Sequence, residues 1–340
     1  PGQPDARRHE GRKRPAPSWS LGHFGKYTGR HDEESVMADE TRSVLRGCIP
    51  IVCTPFGDDG SLDLTGLAAG VEWVIGEGAA GVAGLAIASE GYKLTEGERD
   101  RVAAVIVETV GGRVPVVLSA AGAGTEVAVE RARRAVAIGA DAVMVLPPSF
   151  VRPSRASLLD YYLRVGAAIA PATLVIQDAP QLTGVAMGPD LWAEIARDAA
   201  GPLAIKVEGT PQGGTISAAR LALGDEEPIF CGWGGLGILD ALERGAAGSM
   251  PAPNMTATFV SIQRAWEGGD REGAAAVFGR ELPFLSWTMQ SVDHSVAAAK
   301  EELRRRGVFA SSQQRQPATA LDEVGLRQLA HFLDLRLDRG

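Results

Sequence analysis

The chain is predicted to be an α/β protein, a (β/α)8 TIM barrel with a C-terminal helical extension. Three observations lead there. Eight short apolar runs alternate with longer segments of helical period, the junctions from helix to strand repeat one small-residue pattern, and after Asn254 the pattern is helical only. The runs are GCIPIVCT from Gly47, GVAGLAI from Gly81, VPVVLSA from Val114, DAVMVLP from Asp141, ATLVIQD from Ala172, LAIKVE from Leu203, PIFCG from Pro228 and AGSM from Ala247. Continuous apolar runs of this length suit parallel strands covered on both faces. A doubly wound open sheet is the alternative, but no GxGxxG follows the first run.

The intervening segments read as amphipathic helices. Leu64, Leu67, Val71 and Val74 recur at helical spacing, as do Val102, Val105 and Ile106, and Thr95 with Glu98 forms a capping box ahead of the second set. The return to each strand uses EGAAGVAGL from Glu77, IGADAVMVL from Ile138 and RGAAGSM from Arg244. Glycine ends each helix in the left-handed conformation, and the small residues behind it let the chain turn tightly into the barrel. The barrel is expected over residues 45–268 and a C-terminal helical segment over 269–340. Helical stretches are expected near 255–268, 271–306 and 322–337, the last carrying Leu326, Leu329, Leu333 and Leu337 on one stripe. Residues 1–36 are polar, rich in Pro and Gly and without hydrophobic period, which predicts a disordered extension, with Met37 as an alternative start. They contain no apolar core of a signal peptide, so a cytoplasmic protein is expected.

At 340 residues the chain has room for a barrel of about 250. A formal charge of −8 offers no basic field for nucleic acid, and no apolar run approaches the ~20 residues of a membrane span. The expected partner is therefore a small molecule, with no nucleic acid and no membrane. Three cysteines without CxxC spacing and five scattered histidines indicate neither a disulfide scaffold nor a metal site.

One residue breaks the pattern of apolar strands. Lys206 lies inside LAIKVEG, and the chain has only five lysines against 29 arginines. Desolvation disfavours the charged form of a buried amine, and a neutral lysine can form an imine where an arginine cannot. A lysine that reaches out to water from a strand end is the alternative. Glu208 follows two residues later, so the period of 2 places both side chains on one face, their Cα atoms about 6 to 7 Å apart. Two ionisable groups facing the helix layer would be costly, whereas at the open end of a barrel they would form a site.

Over roughly residues 45–310 the chain resembles the dihydrodipicolinate synthase and N-acetylneuraminate lyase family of class I aldolase-type barrels. GCIPIVCTPFGDDGSLD is similar to that family's first strand and loop, and GRVPVVLSAAGAGTEVAVERARRAVAIGADAVMVLPP to its third and fourth units. LAIKVE stands where the family carries its Schiff-base lysine. The resemblance implies Lys206 as the catalytic amine, a 2-oxo acid substrate, no cofactor, and a homo-oligomer, tetramer or dimer.

The departures narrow the chemistry. The family's Gly-Thr-Thr-Gly-Glu loop is here Ala86, Ile87, Ala88, Ser89 and Glu90, its strand-five tyrosine position is Gln177, and its tyrosine after strand four corresponds to Phe150. The arginine that grips the synthase's second substrate corresponds to Leu182. A proton relay of phenols cannot operate with these residues. Within the family, IQDAP, KVE and GWGG followed by ALERGAAGSM are similar to the L-2-keto-3-deoxyarabonate dehydratases, in which a glutamate two residues after the lysine serves as acid and base. That branch carries acidic residues just after its tryptophan, whereas here Trp233 precedes Gly234, Gly235, Leu236 and Gly237. The expected catalytic residues are thus Lys206 and Glu208, with Ala88, Ser89, Gln177, Phe150, Leu182 and Trp233 binding substrate. Backbone N–H groups near Ala88 and Ser89, with the Ser89 hydroxyl, would meet the substrate carboxylate. The expected reaction is dehydration of a 2-keto-3-deoxy sugar acid, with a pyruvate-dependent aldolase or a non-catalytic 2-oxo acid sensor as alternatives. The bland readings are a structural salt bridge for Glu208, backbone satisfaction at a strand end for Asp178, and mouth packing for Trp233. Met187 joins Leu182 and Phe150 as a less polar wall for the distal end of the substrate.

Overall fold

The computed structural model describes residues 45–337; the expected extension over 1–36 and Met37 lie outside them. All eight apolar runs supply a strand: β1 Gly47–Cys48, β2 Val82–Gly84, β3 Val116–Ser119, β4 Ala142–Val145, β5 Thr173–Asp178, β6 Leu203–Val207, β7 Ile229–Cys231 and β8 Gly248–Ser249. They form one parallel sheet in the order β1-β8-β7-β6-β5-β4-β3-β2. The two ends meet beyond β1. Ile51 bridges Ala83 in parallel, and the Val52 N–H donates to the Ala83 carbonyl at 2.8 Å.

Helices α1 (Leu64–Gly76), α2 (Glu96–Val110), α3 (Thr125–Ile138), α4 (Arg155–Ile169), α5 (Pro180–Thr183), α6 (Pro189–Asp198), α7 (Gln212–Leu223) and α8 (Ile238–Glu243) alternate with the strands. The Thr95 hydroxyl and Glu98 carboxylate complete the capping box at the start of α2. At the three repeated junctions Gly78, Gly139 and Gly245 have positive φ, which lets the chain reverse within a few residues.

Period-2 alternation divides the core into two layers. Val116, Leu118, Leu174, Ile176, Ile205 and Val207 pack outward against the helices. Val117, Met144, Val175, Ala204 and Phe230 pack together inside the ring. Lys206 and Gln177 share the inward parity of Ala204 and Val175, which settles the face on which the lysine lies.

After β8 the chain is helical: α9 Thr256–Glu267, α10 Arg271–Thr288, α11 Val292–Arg305 and α12 Glu323–Leu337. The stretch expected to be helical over 271–306 is two helices. Ser291, with extended backbone, caps α11 by accepting the His294 N–H at 3.1 Å, so the chain breaks between Met289 and Val292. No described helix is long and apolar enough to cross a membrane.

Candidate active site

The C-terminal end of β6 carries the central pair. Register sets Gln177 beside Lys206 and Lys206 beside Phe230, so the inner face here presents amide, amine and aromatic ring in a row. Lys206 Nζ lies 2.6 Å from Glu208 Oε1, and both residues are buried. The Gln177 amide donates to the same oxygen at 2.8 Å. A carboxylate can only accept, so the amide must turn its nitrogen toward Glu208. Its oxygen Oε1 is consequently left buried without a donor, a free acceptor at the site.

Strand ends and loops hold this arrangement. The Gln181 side chain donates to the Glu208 carbonyl at 3.0 Å, and Gln212 donates to the Val207 carbonyl at 2.6 Å. Glu208 needs a glycine opposite it: a Cβ on Gly232 would lie 2.3 Å from Glu208 Cγ. Trp233, after β7, is a non-glycine residue with a φ of 49°, an unfavourable backbone that recurs at functional sites.

Above Lys206 opens a cavity. Lys206, Glu208, Gln177, Ala88, Leu182 and Trp233 line it, so six of the eight expected residues converge. Every one of them sits at or beyond the C-terminal end of a strand, the face where barrels of this kind carry their sites. Ile87 and Ala88, in the loop after β2, line it together, and their backbone N–H groups have no acceptor among the described residues.

Three expected wall or carboxylate contacts lie elsewhere. The Ser89 hydroxyl donates to the Val52 carbonyl at 2.6 Å, and the Ser89 N–H donates to the Ala86 carbonyl. Both donors are spent on folding the loop, which leaves the Ile87 and Ala88 N–H groups as its unpaired donors beside the cavity. Phe150 does not line the cavity; it is 92% exposed on the loop after β4. Met187 packs against the outer layer of the core instead of the cavity, because the segment between α5 and α6 runs outside the ring.

Neighbouring carboxyls take other parts. Asp178, one residue beyond Gln177, faces outward; burial pushes its carboxyl up to about 6, the Met187 N–H opposing and Glu208 adding. Glu90 is buried but outside the cavity, bound by Lys93 at 3.1 Å, by Lys300 and by the Arg315 N–H at 3.0 Å. The Cys231 thiol is pushed up to about 12 by burial. Among the described residues no three His, Cys, Asp or Glu side chains group as metal ligands.

Met289, Val292 and Ser295 also line the cavity, brought there by the break between α10 and α11. Ordinary residue types in a helical stretch give no sign of this role. The serine that caps α11 was the one available signal.

The sequence profile of the Dihydrodipicolinate synthetase family matches residues 44–335. The chain belongs to this family. Among members of the Dihydrodipicolinate synthetase family, the L-2-keto-3-deoxyarabonate dehydratase of Azospirillum brasilense is 32% identical over 281 residues, 81% of this chain and 89% of that one. The 4-hydroxy-tetrahydrodipicolinate synthase of Chelativorans sp. (strain BNC1) is 31% identical over 277 residues, 78% of this chain and 89% of that one. The crystal structure of dihydrodipicolinate synthase from Rhodopseudomonas palustris superimposes with a TM-score of 0.80 at 27% identity, covering 86% of this chain and 97% of that one. These family relationships establish a barrel of the dihydrodipicolinate synthetase type and place the chain among lyases.

Proposed function

We propose that the chain is a Schiff-base-forming hydro-lyase that dehydrates a 2-keto-3-deoxy sugar acid. The observation that carries this reading is the buried Lys206–Glu208 pair on the inner face of β6, with an amide, Gln177, beside it in place of a phenol. The similarity to the Azospirillum dehydratase supports it.

Passing the proton of the pair from Lys206 to Glu208 frees the amine lone pair. The amine attacks C2 of the 2-oxo acid, and the oxygen leaves as water, giving a protonated imine. The substrate carboxylate rests on the Ile87 and Ala88 N–H groups. The imine acidifies C3, and Glu208 as carboxylate removes a C3 proton to form the enamine. The C4 hydroxyl, held by Gln177 Oε1, then leaves with that proton as water. Hydrolysis of the conjugated imine consumes the water released when it formed and returns Lys206, so the net change is loss of one water across C3 and C4. Gln177 cannot deprotonate a C4 hydroxyl, which disfavours cleavage of the C3–C4 bond. Assembly as a homo-oligomer, tetramer or dimer, belongs to the same proposal; Phe150 and Val151, exposed together on the loop after β4, are apolar side chains suited to a subunit contact.

The test is reduction with borohydride in the presence of pyruvate. The adduct is expected on Lys206 by peptide mapping and absent from Lys206→Arg, and the C3 protons of bound pyruvate should exchange with deuterated water. An adduct on another lysine, or none, overturns the Schiff-base reading. Release of pyruvate from 2-keto-3-deoxy sugar acids would replace dehydration with aldol cleavage.

A further inference from the structure

Most polar groups of the cavity gather at the end that holds Lys206. Lys206, Glu208 and Gln177 Oε1 surround the positions of C2 to C4, and the Ile87 and Ala88 N–H groups receive the carboxylate. Each of these is assigned once the reacting carbons are placed.

The walls above are of another character. Leu182 comes from α5, Met289 and Val292 come from the α10–α11 break, and Pro251 and Ala252 follow β8. The carbonyls of Pro251 and Ala252 already accept the Ile51 and Met255 N–H groups at 2.8 and 3.1 Å. Against these stand one hydroxyl, Ser295, and the indole N–H of Trp233. The wall is set by backbone that cannot easily withdraw. Gly234 approaches Met289 so closely that a Cβ there would lie 2.4 Å from the Met289 sulfur, and Gly234 itself has a φ of 63°. The thioether is therefore seated against the loop after β7.

A sugar acid extends beyond C4 with a hydroxyl on each carbon, and each one that meets Leu182, Met289 or Val292 would exchange water for an alkyl group or a thioether. A buried hydroxyl without a partner weakens binding, and an apolar pocket rejects an added hydroxyl by up to about 10²-fold. An alkyl chain meets the same wall with its hydration removed and nothing left unpaired.

We infer that the preferred substrate is a 2-keto-3-deoxy sugar acid whose distal end is deoxygenated, that end seated on Leu182, Met289 and Val292. This rests on reading the cavity as a 2-oxo acid site, and it narrows that reading from sugar acids in general to those ending in an apolar group.

Two ligands without a C4 hydroxyl separate the tail from the chemistry: 2-oxohexanoate and 5,6-dihydroxy-2-oxohexanoate. The diol closes in part to a hemiketal at C2, so calorimetric titration of the full chain with each ligand, with the diol's open-chain fraction taken from its NMR spectrum, yields a ratio of open-chain dissociation constants that reads the tail. The alkyl ligand is expected to bind tenfold or more tightly, and the double variant Met289→Gln, Val292→Thr should cut that ratio at least fivefold. Equal binding, or preference for the diol, overturns the inference, as does a ratio unmoved by the double variant. Single variants Leu182→Asn and Met289→Gln provide the same readout if the double variant fails to fold. Failure of the Schiff-base reading is seen separately, as loss of the borohydride adduct at Lys206 while the ratio of the two ligands still decides what the wall accepts.

Discussion

Lys206 with Glu208 and Lys300 with Glu90 are both buried lysine–glutamate pairs, yet their surroundings differ. Lys300, fully buried, donates to Glu90 and at 2.9 Å to the Gln313 carbonyl, and lies 4.4 Å over the Phe56 ring. Glu90 accepts in addition from Lys93 and from the Arg315 N–H. Nothing in this cluster meets the cavity, and its members tie α11 and the segment after it to the loop that follows β2. Burial lowers the affinity of Lys300 for its proton, and the Glu90 carboxylate opposes that shift. At the other pair, Lys206 has Glu208 as its one ion-pair partner among the described residues, Gln177 leaves an acceptor unused, and the cavity lies alongside. A saturated pair holds structure together. An incompletely saturated one beside a cavity is free to exchange a proton with a ligand.

The largest expected effect tests the second pair as chemistry. Glu208→Gln should keep shape while lowering turnover, or C3 exchange of bound pyruvate, by about 10²- to 10⁴-fold. Its midpoint of thermal unfolding should move less than that of Glu90→Ala, because the amide fills the volume of the carboxylate. Equal exchange in the parent and Glu208→Gln would remove the glutamate from proton transfer and erase the contrast between the two pairs.

The reverse outcome is expected for Glu90→Ala. It strands the Lys300 amine in a site closed to water, a defect that costs about 3 to 5 kcal/mol when a buried pair is broken from one side. Denaturant titration measures the loss. Adding Lys300→Met should recover part of it by removing that amine, while the cavity left by the carboxylate and the loss of the Lys93 partner account for the remainder. The folded fraction of either variant should still be labelled on Lys206 by pyruvate and borohydride. A Glu90→Ala variant of parental stability would mean that the saturated pair is not structural.

A smaller effect belongs to Asp178, a buried carboxyl without an ion pair among the described residues. With its affinity raised from 3.8 to about 6, chiefly by burial, the folded protein keeps a proton there that the unfolded chain loses. Its contribution to stability is therefore fullest below about pH 4 and declines as pH rises to 6, by up to about 3 kcal/mol. The difference in unfolding free energy between Asp178→Asn and the parent should grow in favour of the variant over that interval. A flat difference would show that the carboxyl is solvated in the folded state.

The positions of the strands, the capping box at Thr95 and the shared face of Lys206 and Glu208 were legible in the sequence, because all three depend on neighbours within a few residues and on the period of a strand or helix. Which face of β6 looks inward is not a local property; it follows from closure of the ring between Ile51 and Ala83. The Ser89 hydroxyl reads as a ligand contact until the Val52 carbonyl, 37 residues away, is placed within 2.6 Å of it. Phe150 reads as a substrate contact until its loop is seen to stand outside the cavity. Nothing local marks Lys300 as buried; Glu90, 210 residues distant, meets it in the interior. Periodicity along the chain determined the barrel and the shared face of Lys206 and Glu208. Only the tertiary structure decided which polar groups are consumed by other parts of the chain and which are left for a ligand, because hydrogen-bond partners in loops come from contacts that no local pattern encodes.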